Sequence, residues 1–494
     1  MAQEKLIEVK DDALFQGLYL SAEPTAGQIW KQGRNIWFRD LSLEQLLGKQ
    51  KIVNITGRPP LALAQAFNFP NKSLYWENLG LVYQMNGVGN PPVFGAPNAI
   101  VGLATTNSYW LEPWGRWLLM TDGQNQPSIW QGGSPIPIGV GQFATCQIIK
   151  KIAQFAVAYN LTGTPDGDLP NAFAWSDVSD PTNWTPDPTN AARNLTIRDL
   201  DSEIVCVADL GISHAVYSRD TMLLVQYVGP DAGWLGTPNQ ALRGIGAVSK
   251  HSVVSVGRFN YGISRAGIFA TDGNTFNYAD RPAIDRFLQE NVDWSQASTI
   301  WGYWDDKSGL VKWIVPLLTT SVFYSPSLPR LTIGMDPKMR TVTKESIYLS
   351  RKPFMLLDGL QYGGMEREVF DYPITVMPDG LYYDSVENTL MGSFNLQTHL
   401  LDAGEQSIYK LWDYAVFTGT FDNTDTSMQM AFGFTDQPTL DTVEWASWQP
   451  MRFHSIPVDR PRESLFMALR FQGSSTFKMT SMRVFGEKGG FANG

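Results

Sequence analysis

The residues whose types and spacing come closest to a reactive set are Trp301, Tyr303, Trp304, Asp305 and Asp306, in the run WGYWDDKSGLVKWIV. Aromatic platforms beside paired carboxylates are how glycosidases hold a sugar and protonate its leaving group. A plainer reading outweighs that one. Asp305-Asp306-Lys307-Ser308-Gly309 joins two strand-like stretches, so the carboxylates are expected to cap a turn while the aromatic rings pack between sheets. The same reading applies to Trp445 and Trp448 in EWASW.

Other chemistries find less support. The four histidines, at 214, 251, 399 and 454, are scattered without a His-x-x-x-His or His/Cys cluster, so each is expected to be structural or at the surface. Gly262-Ile263-Ser264-Arg265-Ala266-Gly267 has one residue too many for a nucleophile elbow and lies in a hairpin pattern. No Gly-Lys-Ser/Thr phosphate loop exists, and Gly87-Val88-Gly89 runs into Pro91-Pro92, which forbids the helix that would cradle a phosphate. Cys146 and Cys206, the only cysteines, sit in apolar runs and read as buried thiols rather than a disulfide framework. No catalytic, cofactor-binding or metal-ligating residue is assigned, and the chain is expected not to be an enzyme.

The elements that must position these residues are hairpins. From Trp117 to Tyr362 the chain repeats a short aromatic or β-branched run, a polar turn and another such run: WLLMTDGQNQPSIW, FAWSDVSDPTNW, VYSRDTMLLVQYV, YGISRAGIFATDGNTF, WGYWDDKSGLVKWIV and IYLSRKPFMLLDGLQY. Asp-Gly and its relatives reach the positive φ that tight hairpin turns need. The turn markers Asp122, Asp177, Asp220, Asp272, Asp306 and Asp358 span 236 positions in five steps of 34 to 55 residues. Their mean, about 47, is the spacing of four-stranded propeller blades. The expected fold is all-β: a β-propeller of six to seven blades, with a large sandwich or barrel as the alternative.

The totals agree with an ordered chain of several units: 494 residues, 43% hydrophobic, 12% aromatic and 17% charged, with 44 Gly and 30 Pro. A net charge of −10 disfavours tight nucleic-acid binding, which needs clustered Lys and Arg, but suits a surface that DNA slides past. The start, MAQEKLIEVKDD, has no apolar signal core, and no stretch nears the ~18 apolar residues of a membrane helix, so folding in a cytoplasm without membrane insertion is expected.

Four divisions are expected. Residues 1–70 form an N-terminal segment with one short helix, Ser42 capping, Gln45 completing a capping box, Leu43, Leu46 and Leu47 forming its apolar face and Gly48 ending it. Residues 71–387 are the propeller, with a helix from Arg281 to about Asn291 that Asp280 caps. Residues 388–485 are a C-terminal β-sandwich built on SIYKLWDYAVFTGTF, SMQMAFGF, SLFMALRFQG and FKMTSMRVFG, and 486–494 a frayed glycine-rich tail.

Two passages add a resemblance. AWSDVSDPTNWTP, at Ala174 to Pro186, resembles the "strand, Ser-Asp-x-x-Asp-Pro-x-x-Trp/Phe-x-Pro" signature of tail proteins of tailed bacteriophages. Downstream come SRDTMLLVQYVGP and then GIGAVSKHSVVSVGRFNYGISRAGIFATDG at Gly244 to Gly273, in the order found in the same family. That family is the tail nozzle, also called tail-tube or packaged-DNA stabilisation, protein of short-tailed phages, and the likeness covers roughly residues 150 to 290. It implies a structural virion protein assembled in the host bacterial cytoplasm and placed in the virion tail. It also implies a homo-oligomeric ring, a hexamer by family likeness, below the portal and adaptor proteins and in contact with tail fibre, spike or needle proteins. Such a ring retains the packaged genome and conducts double-stranded DNA during ejection, without a cofactor. Two rivals stand beside it: a carbohydrate-binding or glycan-degrading propeller of a phage tail, whose sugar release would fall on Asp305→Asn or Asp306→Asn, and a monomeric cytoplasmic scaffold propeller that binds peptides on one rim.

Overall fold

A computed structural model describes residues 5–8, 30–34, 36–39, 42–45, 48–68, 71–88, 93–102, 109–200, 202–211, 213–229, 233–236, 242–279, 283–321, 324–327, 329–335, 337, 341–342, 347–348, 354–356, 363–365, 373–386, 394–401, 408–421, 428–438, 440–451, 455–473 and 477–491. The chain is all-β, made of many small antiparallel sheets.

Seven up-and-down antiparallel strand groups follow one another along the chain, the sixth being one end of a larger sheet and the seventh borrowing its outer strand from elsewhere in the chain. The first holds Leu63–Asn68, Asn71–Asn78, Leu81–Val88 and Asn98–Gly102, and the second Trp110–Trp114, Trp117–Thr121, Ser128–Trp130 and Ile136–Pro137. The third holds Thr145–Ile152, Phe155–Thr164, Gly167–Trp175 and Arg193–Thr196, and the fourth Cys206–Leu210, Ser213–Tyr217, Thr221–Gly229 and Gly233–Gly236. Val253–Val256, Phe259–Ser264, Gly267–Thr271 and Phe276–Tyr278 make the fifth; Trp301–Asp305, Leu310–Pro316, Arg330–Met335 and Phe354–Leu356 lie in the sixth. The seventh takes Gly363–Met365, Ile374–Met377 and Gly380–Val386, and its outer strand is Gly48–Asn54 from the far end of the chain.

First strands pack on first strands: those of sheets one and two, two and three, four and five, five and six, six and seven, and also seven and one are in contact. Sheets three and four share one core, in which Tyr159 and Phe173 meet Val207, Val216 and Val225.

The turns explain why these sequences fold as hairpins. Asp122 Oδ1 accepts the N–H groups of Gln124 and Asn125 at 2.9 and 2.8 Å, and Asp272 Oδ1 accepts those of Asn274 and Thr275 at the same two distances. Gly123 and Gly273 follow at φ +70° and +91°, where a Cβ would be strained. The two turns are alike but not equivalent: one joins the second and third strands of its sheet, the other the third and fourth. Asp358 lies outside the described residues.

After the seventh sheet the long alternating strands build two further layers. One layer contains Ile36–Arg39, Ser42–Gln45, Phe477–Phe491, Ile408–Phe421 and Ser455–Ser464, with Lys5–Glu8 also on Phe477–Phe491. The other contains Trp30–Arg34, Phe394–Thr398, Phe466–Gly473, Gln429–Thr435 and the short strands Glu444–Trp445 and Gln449–Pro450. Phe417 and Phe471 meet edge to face between the layers, with ring centroids 5.4 Å apart. The second layer is continuous with the sixth sheet through Phe354–Leu356 beside Trp30–Arg34, and one core runs from Trp313 and Phe287 into Phe432 and Leu469.

Two expectations are corrected. The segment from Ser42, read as a short capped helix, is a strand paired with Ile36–Arg39: Leu43 and Ile36 are fully buried, and the ladder satisfies backbone groups that a helix so short would leave open. Residues 486–491, read as a frayed tail, continue the strand Phe477–Phe491, with Lys488 opposite Lys410 and Phe491 opposite Ile408. The second expected helix is present as Ala283–Asn291, with Ile284, Phe287 and Leu288 buried. No helix among the described residues is long and apolar enough to cross a membrane.

Candidate functional site

Along Trp301–Asp305 the side chains alternate, placing Trp301, Tyr303 and Asp305 on the buried face and Trp304 on the other. Asp305 is fully buried. Its Oδ1 accepts the N–H groups of Lys307 and Ser308, both at 3.1 Å, and its Oδ2 accepts from the Ser308 hydroxyl at 2.6 Å and the Lys312 ammonium at 2.5 Å. A carboxylate offers about four lone-pair sites, so these donors engage it on every side. Lys312, 4% exposed, also lies 5.7 Å from the Tyr303 ring. Trp301 and Tyr303 pack with Trp76, Ile314, Ile374 and Leu381 of the first, sixth and seventh sheets. The residues that could have formed a sugar platform therefore fasten a turn and the seams between sheets, while half-buried Asp306 occupies the turn itself.

Where first strands converge, three rings stack. The His251 imidazole lies 4.9 Å from Trp110 at an interplanar angle of 3° and 4.4 Å from Trp301 at 11°, and its carbonyl accepts the Gly302 N–H at 2.7 Å. The stack joins the second sheet, the lead-in to the fifth and the sixth. Burial, followed by the charge of Lys250, pushes His251 down to about 3, so the ring is neutral. No motif paired this histidine in advance; the only hint was a tryptophan opening the first strand of both the second and the sixth sheets.

Around this stack lie ionisable groups held by enclosure. The Lys250 ammonium donates to the Gln147 carbonyl at 2.5 Å, and burial lowers its pKa to about 7 against the opposing pull of Cys146 and Asp122. Burial pushes both thiols, Cys146 and Cys206, up to about 12, which leaves them protonated and unreactive. Burial alone would lower Lys150, but Asp209, 2.9 Å away, and Glu112 together raise it. His214 is fully buried, 2.7 Å through Nε2 from the Tyr159 hydroxyl and edge-on to Trp234; burial first, and Lys150 second, lower it to about 3.

The two passages behind the phage-tail resemblance turn out to be joints. Ser176 Oγ accepts the Ala156 N–H at 3.0 Å, Asp177 Oδ1 accepts those of Val178 and Ala191, and Asp180 Oδ1 accepts from Thr182. Trp184 donates to the Pro181 carbonyl and lies edge-on to Phe143, which ties the loop to the approach to the third sheet. In the second passage Ser249 Oγ donates to the Ile300 carbonyl at 2.5 Å and Trp313 Nε1 to the Ser252 carbonyl at 3.1 Å, linking the fifth and sixth sheets. Gly246 admits no side chain, because a Cβ there would lie 2.0 Å from the Arg219 carbonyl oxygen.

His399 is buried, and His454 lies outside the described residues. Ser264, Arg265, Ala266 and Gly267 form a hairpin turn between Phe259–Ser264 and Gly267–Thr271. Among the described residues no three His, Cys, Asp or Glu side chains are grouped to hold a metal ion.

No protein-family description and no curated protein matches the chain. Among solved structures, a computationally designed protein, Ika8, is similar over 68% of this chain and 100% of its own, at 9% identity and a TM-score of 0.36. PorZ, an essential bacterial surface component of the type-IX secretion system of Porphyromonas gingivalis, is similar over 83% of this chain and 46% of its own, at 10% identity and a TM-score of 0.39. Both scores are too low for either likeness to assign a fold or a function.

Proposed function

We propose that the seven sheets close into a seven-bladed propeller and that the chain is a structural virion protein, the ring-forming tail nozzle of a short-tailed phage, which retains packaged DNA and conducts it during ejection. One observation carries the reading furthest: the residues that resemble the nozzle signature spend their polar groups on fastening the wall, within the loop of the third sheet and between the fifth and sixth sheets. Ser176, Asp177 and Trp184 brace the long loop of the third sheet, and Ser249 and the Ser252 carbonyl tie the fifth sheet's lead-in to the sixth. Asp305, the carboxylate best placed for catalysis, is committed in the same way. A wall that must not deform under moving DNA calls for such fastening, and closing the sheets into a ring of blades leaves only short, protected edges.

Closure is supported by the contact of the first and seventh sheets, and by Gly48–Asn54 completing the seventh sheet beside Gly380–Val386. Because the Trp110–His251–Trp301 stack fills the place where first strands meet, the DNA passage lies between subunits and not through one propeller. A net charge of −10 per chain suits an inner surface to which DNA does not adhere.

Mass photometry of the purified chain, alone and with virion adaptor proteins, tests the proposal. A closed oligomer, six copies by the family likeness, is expected. A chain that stays monomeric with adaptors present would remove the nozzle reading.

A further inference from the structure

Trp445 and Trp448, read from sequence as packing residues, hold a cation between them. The Arg470 guanidinium lies over both rings, 4.5 Å from the Trp445 centroid and 4.4 Å from the Trp448 centroid. The clamp is built into the sheet. Arg470 stands opposite Ala431, and Trp445 stands opposite Gly433, where a Cβ would come within 2.8 Å of the indole, so the ring needs that glycine to lie flat. Among the described residues the guanidinium makes no hydrogen bond and no ion pair, and its Nε is buried without a partner. Burial lowers the Arg470 pKa, as expected of a cation that has lost water without gaining a carboxylate.

A guanidinium held against two indole rings, with its donors unused, is a fork shaped for a planar oxyanion. We propose that the Trp445–Arg470–Trp448 clamp is one face of the interface between copies of this chain, and that it receives a carboxylate from the neighbouring copy. The charge balance selects the occupant. Each copy carries 48 acidic against 38 basic side chains, so a second copy offers surplus carboxylates. A nucleic-acid backbone calls for clustered cations rather than one. Position agrees: Glu444–Trp445 and Gln449–Pro450 are the outermost strands of their sheet, with no further strand of the described chain beyond them. The inference rests on the self-association in the proposed ring, but not on its being a virion part. It supplies one of the two unlike faces that a closed ring requires.

The test compares assembly of wild type, Arg470→Gln and Arg470→Lys by mass photometry across a concentration series, with thermal unfolding as the check on folding. Removing one partner of a bidentate charge pair at an interface should weaken assembly about 30-fold or more, with the lysine variant in between because it keeps the charge without the fork. Folded Arg470→Gln that assembles like wild type overturns the inference and leaves the ring reading standing; wild type that is monomeric throughout overturns both. If Arg470→Gln does not fold, phenylglyoxal labelling of wild type decides. Arg470 protected in the oligomer and labelled in salt-dissociated subunits supports the interface, and equal labelling refutes it.

Discussion

Lowering the pH from 8 to 5 should remove about 2 kcal/mol of stability through His214 alone. The ring is fully buried against Tyr159 and Trp234, and its pKa is held at about 3, with burial the larger cause and Lys150 the smaller. An unfolded histidine titrates near 6.5. Above that value neither state binds the proton, so this site contributes no pH dependence. As the pH falls below it the unfolded chain takes the proton first, and stability is lost at about 1.4 kcal/mol per pH unit until the folded ring titrates near 3. From 6.5 to 5 that is 1.5 units, hence the figure of about 2 kcal/mol. Urea unfolding of wild type and His214→Gln at both pH values isolates the effect, since glutamine keeps a polar end for the Tyr159 hydroxyl and does not titrate. Wild type should lose about 2 kcal/mol more than the variant. Equal losses would refute the claim that burial holds this ring neutral.

Further expectations follow from the same contacts. Lys312→Met removes the cation from a buried ion pair with Asp305 and should cost about 3–5 kcal/mol in urea unfolding, whereas an exposed pair such as Arg286–Glu290 should be nearly silent when broken. Cys146 and Cys206, buried and with pKa values near 12, should resist iodoacetamide at pH 8 in the folded chain and react at once in urea; labelling of the native protein would contradict their burial. Gly246→Ala forces a Cβ onto the Arg219 carbonyl and should abolish soluble expression, while Gly257→Ala, at φ +61° but in open space, should cost only about 1 kcal/mol by thermal unfolding.

The hairpin architecture was legible because turn chemistry is local. Asp122, Asp272 and Asp305 each accept backbone N–H groups two and three residues ahead, a signal that needs no knowledge of the rest of the fold. The irregular spacing of those turns was misleading for a physical reason: Asp122 follows the second strand of its sheet, Asp272 the third and Asp305 the first, so similar sheets do not place their aspartates equally. The N-terminal region was the least readable. Ser42 to Gly48 satisfies the local rules for a capped helix, but the pairing partner that makes it a strand, Ile36–Arg39, in turn belongs to a layer completed by residues more than 400 positions away. Three rings from residues 110, 251 and 301 make one stack, a pairing across sheets that no periodicity in the chain encodes. The Arg470 clamp was half visible: EWASW marked two tryptophans, and the cation between them came from another strand.

Single-particle images of the purified, assembled chain test the central claim most directly. The account predicts closed rings of about six subunits, each with a filled centre, around an acidic passage bounded by their contacts. Monomers, open filaments, or a passage running through the middle of each subunit would contradict it.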